Sequence, residues 1–241
     1  MKFITTSWDD GHPLDFKLAA LLSKYNIPGT FYIPRENSEH AVMSEDRIRE
    51  LSVEFEIGGH TLHHKRLYST DSGLLQAEVK GSFLWLQDLL GAAPLSFCFP
   101  GGVYTPAAIT AAFECGYKVA RTTELLSTAT AHDGALMPTT LQLYPHSSLT
   151  YIKHLTERQK WANLSRFVRA PFKKNLQQLA TYYLDTLENG DCFHLWGHSW
   201  ELQEQGLWQK LEEVLNVISN RPDFTYIVNG QLPALAIKTN Y

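Results

Sequence analysis

Short β-branched apolar runs alternate with stretches of helical periodicity along most of this chain, and that alternation constrains its fold more than any other feature. Residues 3–8 read as a strand. A helix follows over 14–25, with Leu14, Leu18, Leu21 and Leu22 on one face, until Ile27-Pro28-Gly29 breaks it. Residues 30–33 read as a second strand, 47–53 as a helix, and 55–57 as a third strand ending at Gly58-Gly59. Residues 71–90 read as one long helix capped by Asp71 or Ser72. A strand over 95–99 is closed by Pro100-Gly101-Gly102, and a helix over 106–114 carries proline in its first turn. Strands over 117–120, 192–196 and 224–228 and helices over 172–187 and 208–218 complete the pattern. Repeated βα units imply a parallel sheet covered by helices, and about seven of them in 241 residues favour an α/β barrel over an open sheet.

No repeat, low-complexity tract or Pro/Gly/Ser-rich linker divides the chain, so residues 1–241 read as a single domain with an irregular insertion around 125–170. That insertion carries Lys153, Arg158, Lys160, Arg166 and Arg169 with His154 and one acid, Glu157; Lys173 and Lys174 follow. The plain reading of these cations is a solvated helical face. The functional reading is a lid or basic patch for a phosphate- or carboxylate-bearing substrate.

Composition excludes several classes. Apolar residues make up 44% and charged residues 19%, which is ordinary for a soluble globular protein. With 21 Lys and Arg against 25 Asp and Glu, the net charge of −4 gives no support to nucleic-acid binding. No apolar run is long enough to span a membrane. Cys98, Cys115 and Cys192 are too few and unpaired in spacing for a disulfide framework or a thiolate metal site, and each reads as a small core residue in a reducing compartment. The first residues lack the length of a signal peptide, so the expected location is cytoplasmic.

Functional groups of α/β folds collect where parallel strands end. Three polar clusters occupy such positions. Asp9 and Asp10 follow the first strand, and two adjacent carboxylates there are costly to bury without partners. His60, His63 and His64 follow the third strand. The four-residue spacing of His60 and His64 would put both rings on one side of a helical turn, a common spacing for two ligands of one metal. Two imidazoles and a carboxylate from Asp9 or Asp10 would leave positions open for water, as a catalytic centre requires, with His63 as the alternate ligand. His194, His198 and Glu201 follow a late strand, and a histidine there suits general-acid chemistry. Gly101-Gly102 offers backbone N–H groups for an oxyanion, although a simple turn explains it equally well.

These motifs resemble those of the polysaccharide deacetylase family, the NodB homology domain. Thr6-Ser7-Trp8-Asp9-Asp10-Gly11 is similar to the family's Thr-Phe-Asp-Asp-Gly, and His60-Thr61-Leu62-His63-His64 fits its His-(Ser/Thr)-x-x-His without a gap. Cys98-Phe99-Pro100-Gly101-Gly102 stands where the family has Arg-x-Pro-Tyr-Gly and lacks the Arg and the Tyr. Leu195-Trp196-Gly197-His198 resembles its Leu-x-His with one extra residue, and its Asp–Trp motif is not found.

The resemblance implies a distorted (β/α) barrel and a metal-dependent hydrolase that removes an acyl group, acetyl in the first instance, from an N-acylated sugar or glycan precursor. It makes Asp10, His60 and His64 ligands of a divalent ion, zinc first, with cobalt, nickel or manganese as alternatives. It makes Asp9 the catalytic base, Gly101 N–H the oxyanion donor and His198 the general acid, with His194 as the alternative acid. Arg121 would orient Asp9 in place of the missing Arg. The absent leader and the basic stretch favour a small nucleotide- or lipid-linked sugar over an extracellular polymer. Two rival functions are a hydrolase of another non-peptide C–N bond, formyl or cyclic amide, and a non-catalytic glycan-binding domain with a relic site.

Overall fold

This computed structural model describes residues 1–68, 71–130, 136–170 and 175–232, and in them strand and helix alternate much as the periodicity requires. The order opens β1 (Lys2–Asp9), α1 (Asp15–Lys24), β2 (Thr30–Ile33), α2 (Glu45–Leu51) and β3 (Glu56–Gly59). It continues α3 (Ser72–Leu75), α4 (Gly81–Leu90), β4 (Ser96–Cys98), α5 (Pro106–Cys115) and β5 (Val119–Arg121). Then come β6 (Leu136–Met137), β7 (Leu141–Gln142), α6 (Ser148–Glu157), α7 (Trp161–Arg169) and α8 (Leu176–Asp185). The described elements finish with β8 (Cys192–His198), α9 (Ser199–Glu204), α10 (Trp208–Ile218) and β9 (Phe224–Tyr226).

The strands form one sheet in the order β6-β5-β4-β3-β2-β1-β8-β7, and every described pairing is parallel. β1 is central: β8 pairs with it from Phe3 to Asp9, while β2 takes Ser7 to Asp9 and β9 takes Lys2 to Ile4. The two outer strands, β6 and β7, are separated in sequence only by residues 138–140, so the chain itself bridges the open seam of a curled half-barrel. This is the expected parallel barrel-like fold, with nine described strands in place of about seven.

The two extra strands lie in the stretch read as an irregular insertion, which also holds α6 and α7. Two-residue strands are too short to carry a periodic signal; pairing with β5 and β8 creates them. The long helix over 71–90 is present as α3 and α4 joined by a π-helical turn at Gln76–Lys80, and the Asp71 side chain caps it by accepting from Leu74 N at 2.8 Å. Lys173 and Lys174 lie outside the described residues, and α8 begins at Leu176.

Alternation along β1 sorts its side chains. Ile4 and Trp8 join the large apolar core, which is packed largely from α1, α2, α8 and α10. Thr5, Ser7 and Asp9 face the barrel interior, where Thr5 donates to Asn229, Ser7 bonds His194 and Asp9 meets Arg121. The interior is therefore polar but bonded, as burial of polar groups requires. A second apolar cluster, including Val79, Phe83, Phe97, Phe99 and Tyr117, sits under α4 and α5. No helix among the described residues is long and apolar enough to cross a membrane.

Candidate active site

Asp9, Asp10, His60, His64, Gly101, Arg121 and His198 lie at the carboxyl ends of β1, β3, β4, β5 and β8, so one rim collects them. Register decides who meets whom. Asp9 lies opposite His198 on β8, and Arg121 lies opposite Cys98 on β4. Across the interior the Arg121 guanidinium donates to both oxygens of Asp9. Arg121 is fully buried, with its guanidinium 4.6 Å from the Trp196 ring centre. Burial alone would raise the Asp9 carboxyl, but Arg121, assisted by His60 and His198, holds it below its ordinary value. Asp9 is thus held toward its ionised form although it is buried.

Asp10 turns away from its neighbour because its backbone is left-handed, with φ of 81°. Its Oδ1 faces His64 Nε2 at 3.0 Å and His60 Nε2 at 3.5 Å, and its Oδ2 accepts from Trp200 Nε1 at 2.8 Å. The expected helical turn at 60–64 does not exist. His60 extends straight from β3, and left-handed residues Thr61 and His64 fold the chain back so that the two rings converge, with centres 5.0 Å apart. His63 is directed outward instead: its Nδ1 is 2.9 Å from Glu78 Oε1, which removes it as an alternate ligand.

The donor set fits a metal ion. One ligand atom each from Asp10, His60 and His64 lies within 4.8 Å of the others. His60 Nδ1 bonds the Cys98 carbonyl at 2.8 Å, which leaves Nε2 with its lone pair toward the centre. Asp10 Oδ1 is buried and receives no hydrogen bond, although two ring nitrogens face it. Two imidazoles and one carboxylate suit a divalent transition metal.

His198 stands across from this cluster. Its Nε2 is 3.9 Å from Asp9 Oδ2 and its Nδ1 is 3.3 Å from Glu201 Oε2. Burial would lower its pKa, but the Glu201 hydrogen bond, Asp9 and Asp10 raise it, which favours the protonated ring. His194 is placed differently. It sits mid-strand and buried, with Nε2 on Ser7 at 2.8 Å and Nδ1 on the Pro138 carbonyl at 3.0 Å. Burial and then Arg121 push its pKa down to about 3, which favours the neutral ring, and His194 is not among the residues lining the cavity that His198 lines.

Gly101 and Gly102 are both left-handed, at φ of 62° and 66°. A Cβ on Gly102 would lie 2.0 Å from Thr123 Oγ1, and one on Gly101 would lie 3.0 Å from Arg66 Nε, so only glycine fits this turn. Together these groups line a cavity of about 400 Å³. Its second wall is built by Leu125, Gln142, His146, Thr150 and His154, of which His154 alone was named in the stretch read as a lid or basic patch. Trp200 and Arg66 were missed as well. Trp200 follows His198 closely enough to be noticed, whereas Gln142 and Arg66 carry no local signal. Lys153, Arg158, Lys160, Arg166 and Arg169 do not line the cavity; Lys160 pairs with Glu124 at 2.7 Å and Lys153 with Glu157 at 3.9 Å.

Residues 1–120 match the family model described as polysaccharide deacetylase. No curated protein matches the chain. Among solved structures, the deacetylase PplD of Streptococcus pyogenes, in complex with acetate, is 22% identical with a TM-score of 0.50, covering 56% of this chain and 62% of that one, less than two thirds of its length. A family 4 acetyl xylan esterase from Clostridium thermocellum, in complex with a cobalt ion, is 14% identical with a TM-score of 0.60, covering 97% of this chain and 91% of that one. The chitin deacetylase of the fungal pathogen Colletotrichum lindemuthianum is 16% identical with a TM-score of 0.59, covering 95% of this chain and 86% of that one. These likenesses establish the shared barrel fold.

Proposed function

The chain belongs to the polysaccharide deacetylase family, and from that premise we propose that it is a metal-dependent hydrolase removing an acyl group, acetyl first, from an N-acylated sugar. One observation carries the reading: a three-ligand cluster, an ion-paired Asp9 and a hydrogen-bonded His198 share one cavity. Asp10, His60 and His64 would hold the ion, which we take to be zinc. Such an ion supplies Lewis-acid polarisation of the acyl carbonyl and activation of water.

The chain's own groups do the rest. Asp9, kept ionised by Arg121, takes the proton of the attacking water as its oxygen bonds the carbonyl carbon. Gly101 N–H donates to the oxyanion that develops. His198 gives its Nε2 proton to the leaving nitrogen as the C–N bond breaks, so acetate and a free amine leave. Glu201 balances the charge of the protonated ring.

The proposal includes a small sugar and a cytoplasmic setting. A cavity of about 400 Å³ with a wall on each side supports a small ligand, near the low end of the roughly 300–1,000 Å³ typical of such sites. Among the described residues Arg66 is the Lys or Arg side chain lining it, and phosphate recognition, whether of a nucleotide- or lipid-linked sugar, would fall to that residue. The test is acetate release from N-acetylated sugars by zinc-loaded protein, with elemental analysis in parallel. His198→Ala is expected to keep its metal and lose 10²-fold or more in kcat. A protein that binds no divalent metal after loading would be a relic, and the glycan-binding reading would replace this one.

A further inference from the structure

The acid side of the cavity is held from an unexpected direction. β7 pairs with β8 in parallel, Gln142 opposite Trp196, and Leu143 N extends the ladder by donating to the Trp196 carbonyl at 2.7 Å. That pairing sets Gln142 beside the turn where β8 becomes α9. There the Gln142 Nε2 lies 3.4 Å from Glu201 Oε2, the same oxygen that lies 3.3 Å from His198 Nδ1. The other end of the amide, Oε1, is 2.8 Å from His146 Nε2. His146 is itself seated between the Tyr144 and Tyr151 rings, at centre distances of 5.0 and 5.4 Å.

The orientations are mutually determined. A carboxylate oxygen only accepts, so the amide must turn its NH2 toward Glu201. Its carbonyl then faces His146, whose Nε2 must carry the proton. His198 Nδ1 must likewise donate to Glu201, which leaves Nε2 as the nitrogen pointing into the cavity toward Asp9. A rotated amide would set its carbonyl against the carboxylate and release the ring.

Resting on the hydrolase reading above, we propose that Gln142 and Glu201 are positioning residues for the general acid. The chain His146–Gln142–Glu201 fixes the tautomer and the plane of the His198 ring. An amide does not readily relay a proton, so the chain acts by orientation and not as a proton wire. It also gives the stretch around β7 and α6 a catalytic purpose beyond walling the cavity. An acid's orientation matters only when the leaving group needs its proton, and that provides a readout that general loosening of the fold would not move.

The experiment uses zinc-loaded full-length protein and acetate esters graded by leaving group: 4-nitrophenol, phenol, trifluoroethanol and ethanol. The variants are Gln142→Met, Glu201→Ala and, as the limiting case, His198→Ala, with melting temperatures measured alongside. Rates on 4-nitrophenyl acetate are expected to change least. Rates on ethyl acetate are expected to fall about tenfold further in Gln142→Met and Glu201→Ala, and further still in His198→Ala, giving steeper leaving-group plots. A steep plot for His198→Ala with plots parallel to wild type for the other two overturns the positioning role and leaves the hydrolase reading intact. A parallel plot for His198→Ala removes that residue as the acid, and no acetate release by wild type from either these esters or N-acetylated sugars removes the hydrolase reading; either result takes the positioning chain with it.

Discussion

On one side of the cavity, Asp10, His60 and His64 come from two strand-end turns within the first 64 residues, and their donor atoms gather within 4.8 Å. On the other side, Arg121, Gln142, His198 and Glu201 come from three distant segments and meet only because β5, β7 and β8 lie where they do in the sheet. The first side is a short-range device: two histidines four residues apart are tied together by their own loop. The second side is a long-range device, assembled by register. The family match runs over residues 1–120, which contain the proposed metal ligands and stop one residue short of Arg121. A chelating centre tolerates little change in spacing. A group that orients another can arrive from any segment that reaches it.

The largest effect expected is on the first side. Asp10→Ala or His60→Ala should abolish both metal retention and acetate release, read by elemental analysis and turnover together. Retention of one metal per chain in both variants would break the contrast by moving the centre elsewhere. Next comes the pair that bridges the two sides. Asp9→Asn leaves the Arg121 guanidinium buried without its counter-ion, and urea unfolding should show a loss of about 3–5 kcal/mol. An unchanged midpoint would mean that the pair opens to water in solution.

Leu155, fully buried on α6, tests whether the second wall is packed or merely draped. Leu155→Ala should cost about 2–5 kcal/mol if α6 belongs to the cooperative core. His194 gives a subtler signature. Its folded-state pKa is pushed down to about 3, so as pH falls from 6.5 toward 3 the unfolded state takes up a proton that the folded state refuses. Stability therefore declines with falling pH by the slope of one proton, and His194→Gln should flatten an acid-unfolding profile by that amount. The smallest effect concerns the surface cations. Replacing Lys153, Arg158 and Lys160 together with alanine should leave KM for an acetylated sugar within about twofold, because none lines the cavity. A large rise would restore the basic-patch reading of that helix.

Local sequence carried the Asp10, His60 and His64 cluster because its physics is local. Alternating apolar periodicity set the βα units, and a strand ending in Gly58-Gly59-His60 placed imidazoles at the rim. Even so, the turn between His60 and His64 is not helical; backbone angles that only tertiary packing enforces at Thr61 and His64 bring the rings together. On the acid side, His194 and His198 look interchangeable in sequence. Burial against Ser7 and Pro138 disposes of one, and a free approach to Asp9 with Glu201 behind it keeps the other. β6 and β7 were unreadable because a two-residue strand has no period; the neighbouring strand defines it.

By itself, then, the sequence determined which elements form and which donor types stand at their ends, since helix and strand preference and side-chain chemistry are properties of short segments. The family resemblance suggests Arg121 beside Asp9 and His198 ahead of His194, but only the tertiary structure brings those groups together and lets Gln142 reach Glu201. Those pairings depend on strand register and burial. Each is fixed by the whole sheet closing at once, and no window of the chain contains both partners.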